Sequence, residues 1–270
     1  MSTILITGCS SGIGRAAAMR FQREGWNVVA TMRNPDAETE LTELADTLVV
    51  ALDVTDQASI DAAVAAGVDR FGDIDVLVNN AGYGAYGPVE STPREKIVRQ
   101  FETNVIGLLD VTKAVLPRFR QRGRGVIVNV SSMGGRITLP LGALYHGTKF
   151  AVEGISEAMT YELGAIGTTI KLVEPGIVAT DFSGRSMDLS INPEHTEYQP
   201  VIDALVAASQ AEGRFSSTPD DVAGVIFTAA TDGTDQLRYV AGADAEQLLA
   251  MRASSDDATY LAGIRANFGL

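Results

Sequence analysis

A chain of 270 residues with a formal charge of −13, 46% apolar residues and 27 glycines can bury a large core and is too acidic to favour nucleic acid or an anionic membrane as partner. No apolar run reaches the length of a membrane span, and the first one, Thr3–Thr7, is a strand's worth with no basic segment ahead of it, so neither a transmembrane helix nor a secretory signal is expected. The one cysteine, Cys9, rules out an internal disulfide and suits a reducing, cytoplasmic compartment.

Short β-branched runs alternate with longer segments of helical period. They predict strands near 3–7, 27–32, 48–52, 74–79, 125–130, 168–173 and 237–241. Helices are expected near 13–24, 57–70, 93–118, 143–164 and 218–230, with a weaker one near 38–45. Runs such as DVLVNN and VIVNV are apolar almost throughout, as strands covered on both sides are. The pattern predicts an α/β fold, a doubly wound Rossmann-like three-layer sandwich with a parallel sheet of about seven strands, as a single domain over 1–270. An irregular stretch at about 177–217, with Gly184, Pro193, Pro200 and Gly213, follows a strand's carboxyl end and reads as a substrate loop or lid. The segment after about 243 looks helical at 245–252 and 260–267, and its role stays open.

The first strand runs into Thr7-Gly8-Cys9-Ser10-Ser11-Gly12-Ile13-Gly14 and then a helix. Glycines at such a junction let the chain turn tightly and let backbone N–H groups approach a pyrophosphate at the helix N-terminus. The second strand ends in Arg33-Asn34, with no acid before Asp36. A guanidinium there suits the 2′-phosphate of NADP(H), where an NAD enzyme usually carries an acid for the ribose hydroxyls. Ser11 offers a further hydroxyl. Asp53, after the third strand, can accept from an adenine amino group or serve as a turn residue near the helix start at Asp56 and Ser59. Asn79-Asn80-Ala81-Gly82 closes the fourth strand with small residues on which a flat ring can lie.

Tyr145 and Lys149 stand four apart at a predicted helix start, so they share a face. A cation held beside a phenol favours the phenolate and is expected to draw its pKa below the usual ~10. Ser132 supplies a hydroxyl in the same stretch.

Taken in order, TGCSSGIG at 7–14, NNAG at 79–82, Asn104 in FETNVIG, Ser132 in VNVSS, YHGTK at 145–149 and EPGIVAT at 174–180 resemble the short-chain dehydrogenase/reductase family in its single-domain branch. The pairing of TGCSSGIG with ATMRNP is most similar to NADP-linked hydroxysteroid and retinol dehydrogenases and bacterial ketoreductases. The resemblance implies Tyr145 as the acid/base that protonates a carbonyl oxygen. It implies Lys149 as the group that lowers the phenol's pKa and bonds the nicotinamide ribose, Ser132 as the group that orients the carbonyl, and Asn104 as holding a water behind Lys149. Pro175, Gly176, Val178 and Thr180 would pack beside the nicotinamide. Gly8, Ser10, Ser11, Gly12, Ile13, Gly14, Arg33, Asp53, Val54, Asn80, Ala81 and Gly82, with Tyr145 and Lys149, would line the cofactor groove.

The expected reaction is therefore hydride transfer between NADP(H) and a small hydrophobic ketone, aldehyde or alcohol. Residues 82–88, 133–135 and 140–144 are the expected pocket lining. A non-catalytic dinucleotide sensor on the same fold is the alternative; the presence of all four of Asn104, Ser132, Tyr145 and Lys149 counts against it. His146 reads as a helix-face residue pointing away from the chemistry, and His195 as a solvated loop residue. No metal is expected, since neither histidine has ligand company. Family resemblance implies a homodimer or homotetramer through the 93–118 and 143–164 helices.

Overall fold

Strands that are apolar on both faces must be covered by helix on both faces, and the chain is built that way. The computed structural model describes residues 1–210 and 216–270. Strand β1 (Thr3–Ile6) leads into helix α1 (Gly12–Arg23), then β2 (Asn27–Met32), β3 (Thr47–Ala51), α2 (Gln57–Phe71) and β4 (Val76–Asn79). A short strand, β5 (Gly84–Tyr86), precedes helices α3 (Arg94–Phe101) and α4 (Gly107–Arg122), which a π-helical turn over Glu102–Ile106 joins end to end. Next come β6 (Gly125–Val130), α5 (Ala143–Gly164) and β7 (Thr168–Pro175). The remainder is α6 (Phe182–Arg185), β8 (Met187–Leu189), α7 (Gln199–Gln210), α8 (Pro219–Thr231), β9 (Arg238–Ala241), α9 (Ala243–Ser254) and α10 (Asp257–Phe268).

The seven-stranded sheet has the order β3-β2-β1-β4-β6-β7-β9, and every pairing in it is parallel. The chain winds outward from β1 to β3, then returns and winds the other way from β4. The reversal leaves a crevice beyond the carboxyl ends of β1 and β4, where open sheets of this kind bind ligands. One core layer packs α1 and α8 on the sheet through Phe21, Val28 and Ile226. The other packs α2, α4 and α5 through Ile60, Val115, Phe119 and Leu163. Inside that second layer runs a polar chain in which Asn79 Oδ1 alone is left without a partner. Asn79 Nδ2 donates to Thr112 Oγ1 (3.0 Å) and to Asn129 Oδ1 (2.9 Å), and Asn129 Nδ2 donates to Ser156 Oγ (2.8 Å). No described helix is long and apolar enough to cross a membrane.

Three expectations need correction. The segment near 38–45 holds only a 3-10 turn, Leu41–Glu43, and the chain leaves it through Asp46 at a φ of 56°, which stops helix growth. The expected 93–118 helix is two helices around a π turn and runs on to Arg122; Pro117 is tolerated inside it. The irregular 177–217 stretch is largely ordered into α6, β8 and α7, with residues 211–215, Gly213 among them, outside the described residues. Pro200 there is the second residue of α7, where its missing N–H costs no helical bond.

Candidate active site

The groove begins where β1 ends. Gly12 opens α1 at a φ of 57°, a conformation that favours glycine, and aims the helix N-terminus into the crevice. Gly14 has no room for a side chain: a Cβ would collide with the Asn80 amide and the Gly8 carbonyl. Ser11 is the N-cap of α1 but spends no side-chain bond on capping it. Ser10 is exposed, and Ile13 packs partly into the core.

The expected ring-lining residues at the end of β4 prove to be stitched to this loop. Thr7 Oγ1 accepts from the N–H groups of Asn80 (2.9 Å) and Ala81 (3.0 Å), while Asn80 Nδ2 donates to the Thr7 carbonyl (2.8 Å). The Asn80 side chain thus shapes the groove rather than projecting into it. Gly82 lies against Asn104, whose Oδ1 would be 3.1 Å from a Cβ there.

Asn104 sits in the π turn and is buried. Its Nδ2 donates to the Tyr83 carbonyl (2.8 Å) and Thr148 Oγ1 (3.2 Å), and its Oδ1 accepts from Tyr83 N–H (3.1 Å). The extra residue of a π turn redirects the side chains at this point of the helix, a feature frequent at functional sites. Asn104 thereby ties the β4–β5 loop to the turn of α5 that carries Tyr145 and Lys149.

At the rim, Arg33 is exposed and makes no ion pair among the described residues. Asp53 is a turn residue: its Oδ1 accepts from Thr55 N–H (2.9 Å) and hydroxyl (2.7 Å), whereas Asp56 is the N-cap of α2. Val54 is buried against Gly107 of α4. On the far side, Pro175 ends β7, and Gly176 leaves space that the Asp244 carboxylate fills. Asp244 Oδ2 also accepts from Ile177 N–H (2.7 Å). Val178 bridges to Ser217, and Thr180 closes over Gly12, with its Cγ2 at 3.3 Å from where a Cβ would stand.

Ser132, Tyr145 and Lys149 are brought together at the carboxyl end of β6. Ser132 Oγ accepts from Gly134 N–H (3.0 Å), which leaves the hydroxyl hydrogen free to donate. Lys149 Nζ lies 5.8 Å from the Tyr145 ring centroid and donates to the Val130 carbonyl (2.9 Å). Burial pushes the Tyr145 phenol up from its ordinary value, and the Ser132 hydroxyl pulls against it. This reverses the downward shift expected from the Tyr–Lys spacing, because removing the hydroxyl from water outweighs the neighbouring groups. Burial also draws Lys149 down to about 8, with Glu153 one turn further along α5 opposing.

Three features go beyond the sequence reading. His146 does not sit on a free helix face: it is buried, with Nδ1 at 2.9 Å from the Gly134 carbonyl, and Nε2 accepts from Leu139 N–H (3.0 Å). An accepting Nε2 puts the proton on Nδ1, so the ring is a neutral two-ended clamp. Burial lowers its pKa. Phe182 and Tyr86 form an aromatic wall on Tyr145, with ring centroids 5.9 and 5.5 Å away. The lid is joined to that wall, since β8 pairs in parallel with β5. Finally, α9 and α10 pack through Leu249, Tyr260 and Ile264 on Met133 and Ile137, so the terminal segment braces the chain's own Ser132 loop. Among the described residues no three His, Cys, Asp or Glu side chains converge as a metal site requires.

Comparison with known proteins bears out the family resemblance and the fold. The family profile described as short chain dehydrogenase matches residues 2–188. An uncharacterized oxidoreductase of Schizosaccharomyces pombe is 44% identical over 239 residues, 88% of this chain and 100% of its own length. Among solved structures, a short-chain dehydrogenase from Streptomyces avermitilis superposes with a TM-score of 0.84 at 33% identity, covering 100% of this chain and 99% of its own. The structure of ElxO with NADP bound has a TM-score of 0.72 at 27% identity over 88% of this chain and 97% of its own.

Proposed function

The chain belongs to the short chain dehydrogenase family, and from that footing we propose that it is an NADP(H)-dependent oxidoreductase interconverting a carbonyl and an alcohol, with Tyr145 as acid/base. The observation that carries this reading is the meeting of Ser132, Tyr145 and Lys149 beside a groove whose glycine turn has no space for a side chain at Gly14. Backbone N–H groups at the start of α1 suit the pyrophosphate, and Arg33 suits the 2′-phosphate. A relative in structure, ElxO, is described with NADP bound.

The cofactor supplies the hydride. The protein fixes geometry and stabilises the negative charge that develops on the carbonyl oxygen. Ser132 donates its free hydroxyl hydrogen to that oxygen. Tyr145 delivers its phenolic proton to the same oxygen, so the carbonyl becomes an alcohol and the phenol a phenolate. A phenol whose pKa is raised stays protonated at neutral pH and is ready to act as the acid. Lys149, one turn away, offsets the phenolate charge through its field. Tyr86 and Phe182 give the pocket an apolar wall, which suits a small hydrophobic ketone, aldehyde or secondary alcohol.

The test is Tyr145→Phe, assayed with a panel of hydrophobic ketones and aldehydes. Turnover should drop by ~100-fold or more, the lower range of general acid catalysis, while NADPH affinity stays within about 2-fold. Near wild-type turnover in that variant would overturn the assignment. We further propose that the chain works as a homodimer or homotetramer joined through α3, α4 and α5.

A further inference from the structure

The cavity at the carboxyl end of β2, about 420 Å³, is lined by Ser10, Arg33 and Asn34 and also by Arg15 and Glu38. Arg33 is the guanidinium a strand-end reading identifies. Arg15, in the first turns of α1, is a second one, and it is already engaged. Its Nη1 and Nη2 bond Glu38 at 2.6 and 3.1 Å, and its Nη2 also bonds Glu40 at 2.5 Å.

The two carboxylates differ in what it would take to move them. Glu38 is 6% exposed, and its Oε1 also accepts from Leu41 N–H at 2.9 Å. Displacing it would strand a buried charge. Glu40 is 56% exposed, so its carboxylate can return to water with almost no desolvation change. Charge gives a reason for it to leave. Arg15, Arg33 and Glu38 line the cavity and Glu40 is bonded to Arg15 beside it, so the four charges cancel, and a phosphate dianion approaching Arg15 would be repelled by the carboxylate that can go.

We propose that Arg15 is a second ligand for the 2′-phosphate of NADP(H), aimed by Glu38 and occupied in the free protein by Glu40, which the phosphate replaces on the guanidinium. The proposal rests on the NADP(H) reading above and adds to it a residue pair and an exchange. Arg15 is then a specificity residue, Glu38 a positioning residue and Glu40 a competitor. The exchange forms and breaks only ion pairs. Discrimination arises because NADH lacks the phosphate and leaves Glu40 where it is.

Calorimetry on the full chain tests this without knowledge of the substrate. NADPH and NADH, and the fragments 2′,5′-ADP and 5′-AMP, would be titrated into wild type, Arg15→Met and Glu40→Gln. Arg15→Met should weaken NADPH and 2′,5′-ADP by ~10-fold or more, the scale of one charge-assisted hydrogen bond, and leave NADH and 5′-AMP within about 2-fold. Glu40→Gln, a surface change that leaves the fold alone, should tighten NADPH and 2′,5′-ADP by about 3-fold and leave NADH unchanged. If neither variant changes the NADPH:NADH ratio, the proposal is overturned; if only Arg15→Met does, the exchange with Glu40 is overturned. Wild type binding NADH as tightly as NADPH would remove the cofactor reading itself, and this proposal with it. The two failures are separate, because one is read in wild type and the other in the ratio of variant to wild type.

Discussion

One ring, that of His146, holds two backbone groups that would otherwise lie unpaired, the buried Gly134 carbonyl and the partly buried Leu139 N–H. Gly134 in turn donates its N–H to Ser132 Oγ, so the clamp on α5 reaches the hydroxyl that faces Tyr145. Leaving a buried donor or acceptor without a partner costs about 1–3 kcal/mol. His146→Phe should therefore lower the melting temperature and reduce kcat by ~10-fold, the loss expected when a donor drifts from its oxyanion position, with NADPH affinity unchanged. His146→Gln, which keeps an acceptor and a donor, should restore part of both. The histidine's pKa is lowered by folding, so the unfolded chain binds the extra proton first. Its contribution is complete above the unfolded value of ~6.5 and is lost as pH falls through the lower folded value. Thermal melts between pH 5 and 7 should show a shallower acid loss in His146→Gln than in wild type; parallel curves would contradict the clamp.

Elements are held to one another by a few cross-links at this end of the sheet. The π turn between α3 and α4 carries Asn104 into the interior, where it fastens the β4–β5 loop to Thr148 on α5. The lid is fastened differently. Strand β8 pairs with β5, and Asp188 on β8 takes Lys96 (2.6 Å) and Arg99 (3.1 Å) from α3. Leu141, beside the pocket, holds a φ of 60° that few side chains adopt, and its carbonyl accepts from Gly87 N–H (2.8 Å). The ion pairs on Asp188 are partly exposed and worth ~0.2–1 kcal/mol each. Asp188→Asn should loosen the lid and raise KM for the carbonyl substrate by about 3-fold, with kcat and NADPH affinity nearly unchanged. Equal effects on KM and on cofactor affinity would mean that the lid and the nucleotide groove move as one.

At the scale of the whole molecule, some of the apolar residues left outside the core lie on the helices proposed to meet a second copy, and others lie elsewhere on the surface. Val98, Phe101 and Ile106 on the α3–α4 run and Phe150 on α5 are all exposed, and Phe101 reaches toward Gly147 on α5. Contiguous exposed apolar surface of this sort commonly marks a protein contact. Phe150→Asp, placed outside both core layers, should leave the monomer's melting behaviour intact and shift the species seen by light scattering toward the monomer. A monomeric wild type would remove the proposed assembly.

The seven strands of the main sheet, its doubly wound class and the position of the crevice were legible in the linear chain, since doubly buried strands need unbroken β-branched runs and parallel neighbours need a long crossover, usually a helix. The glycines at 8–14 and the Tyr145–Lys149 spacing were legible for the same reason, because turns and helical faces are local. Contacts between distant residues decided the rest. Asn80 turned inward to stitch two loops, His146 became a clamp on residues up to twelve positions away, and Glu38 and Glu40 found Arg15 across more than twenty. The direction of the Tyr145 shift belongs to that group too. A phenol's acidity follows from how much water the folded chain removes from around it, and no spacing of residues along a sequence records that.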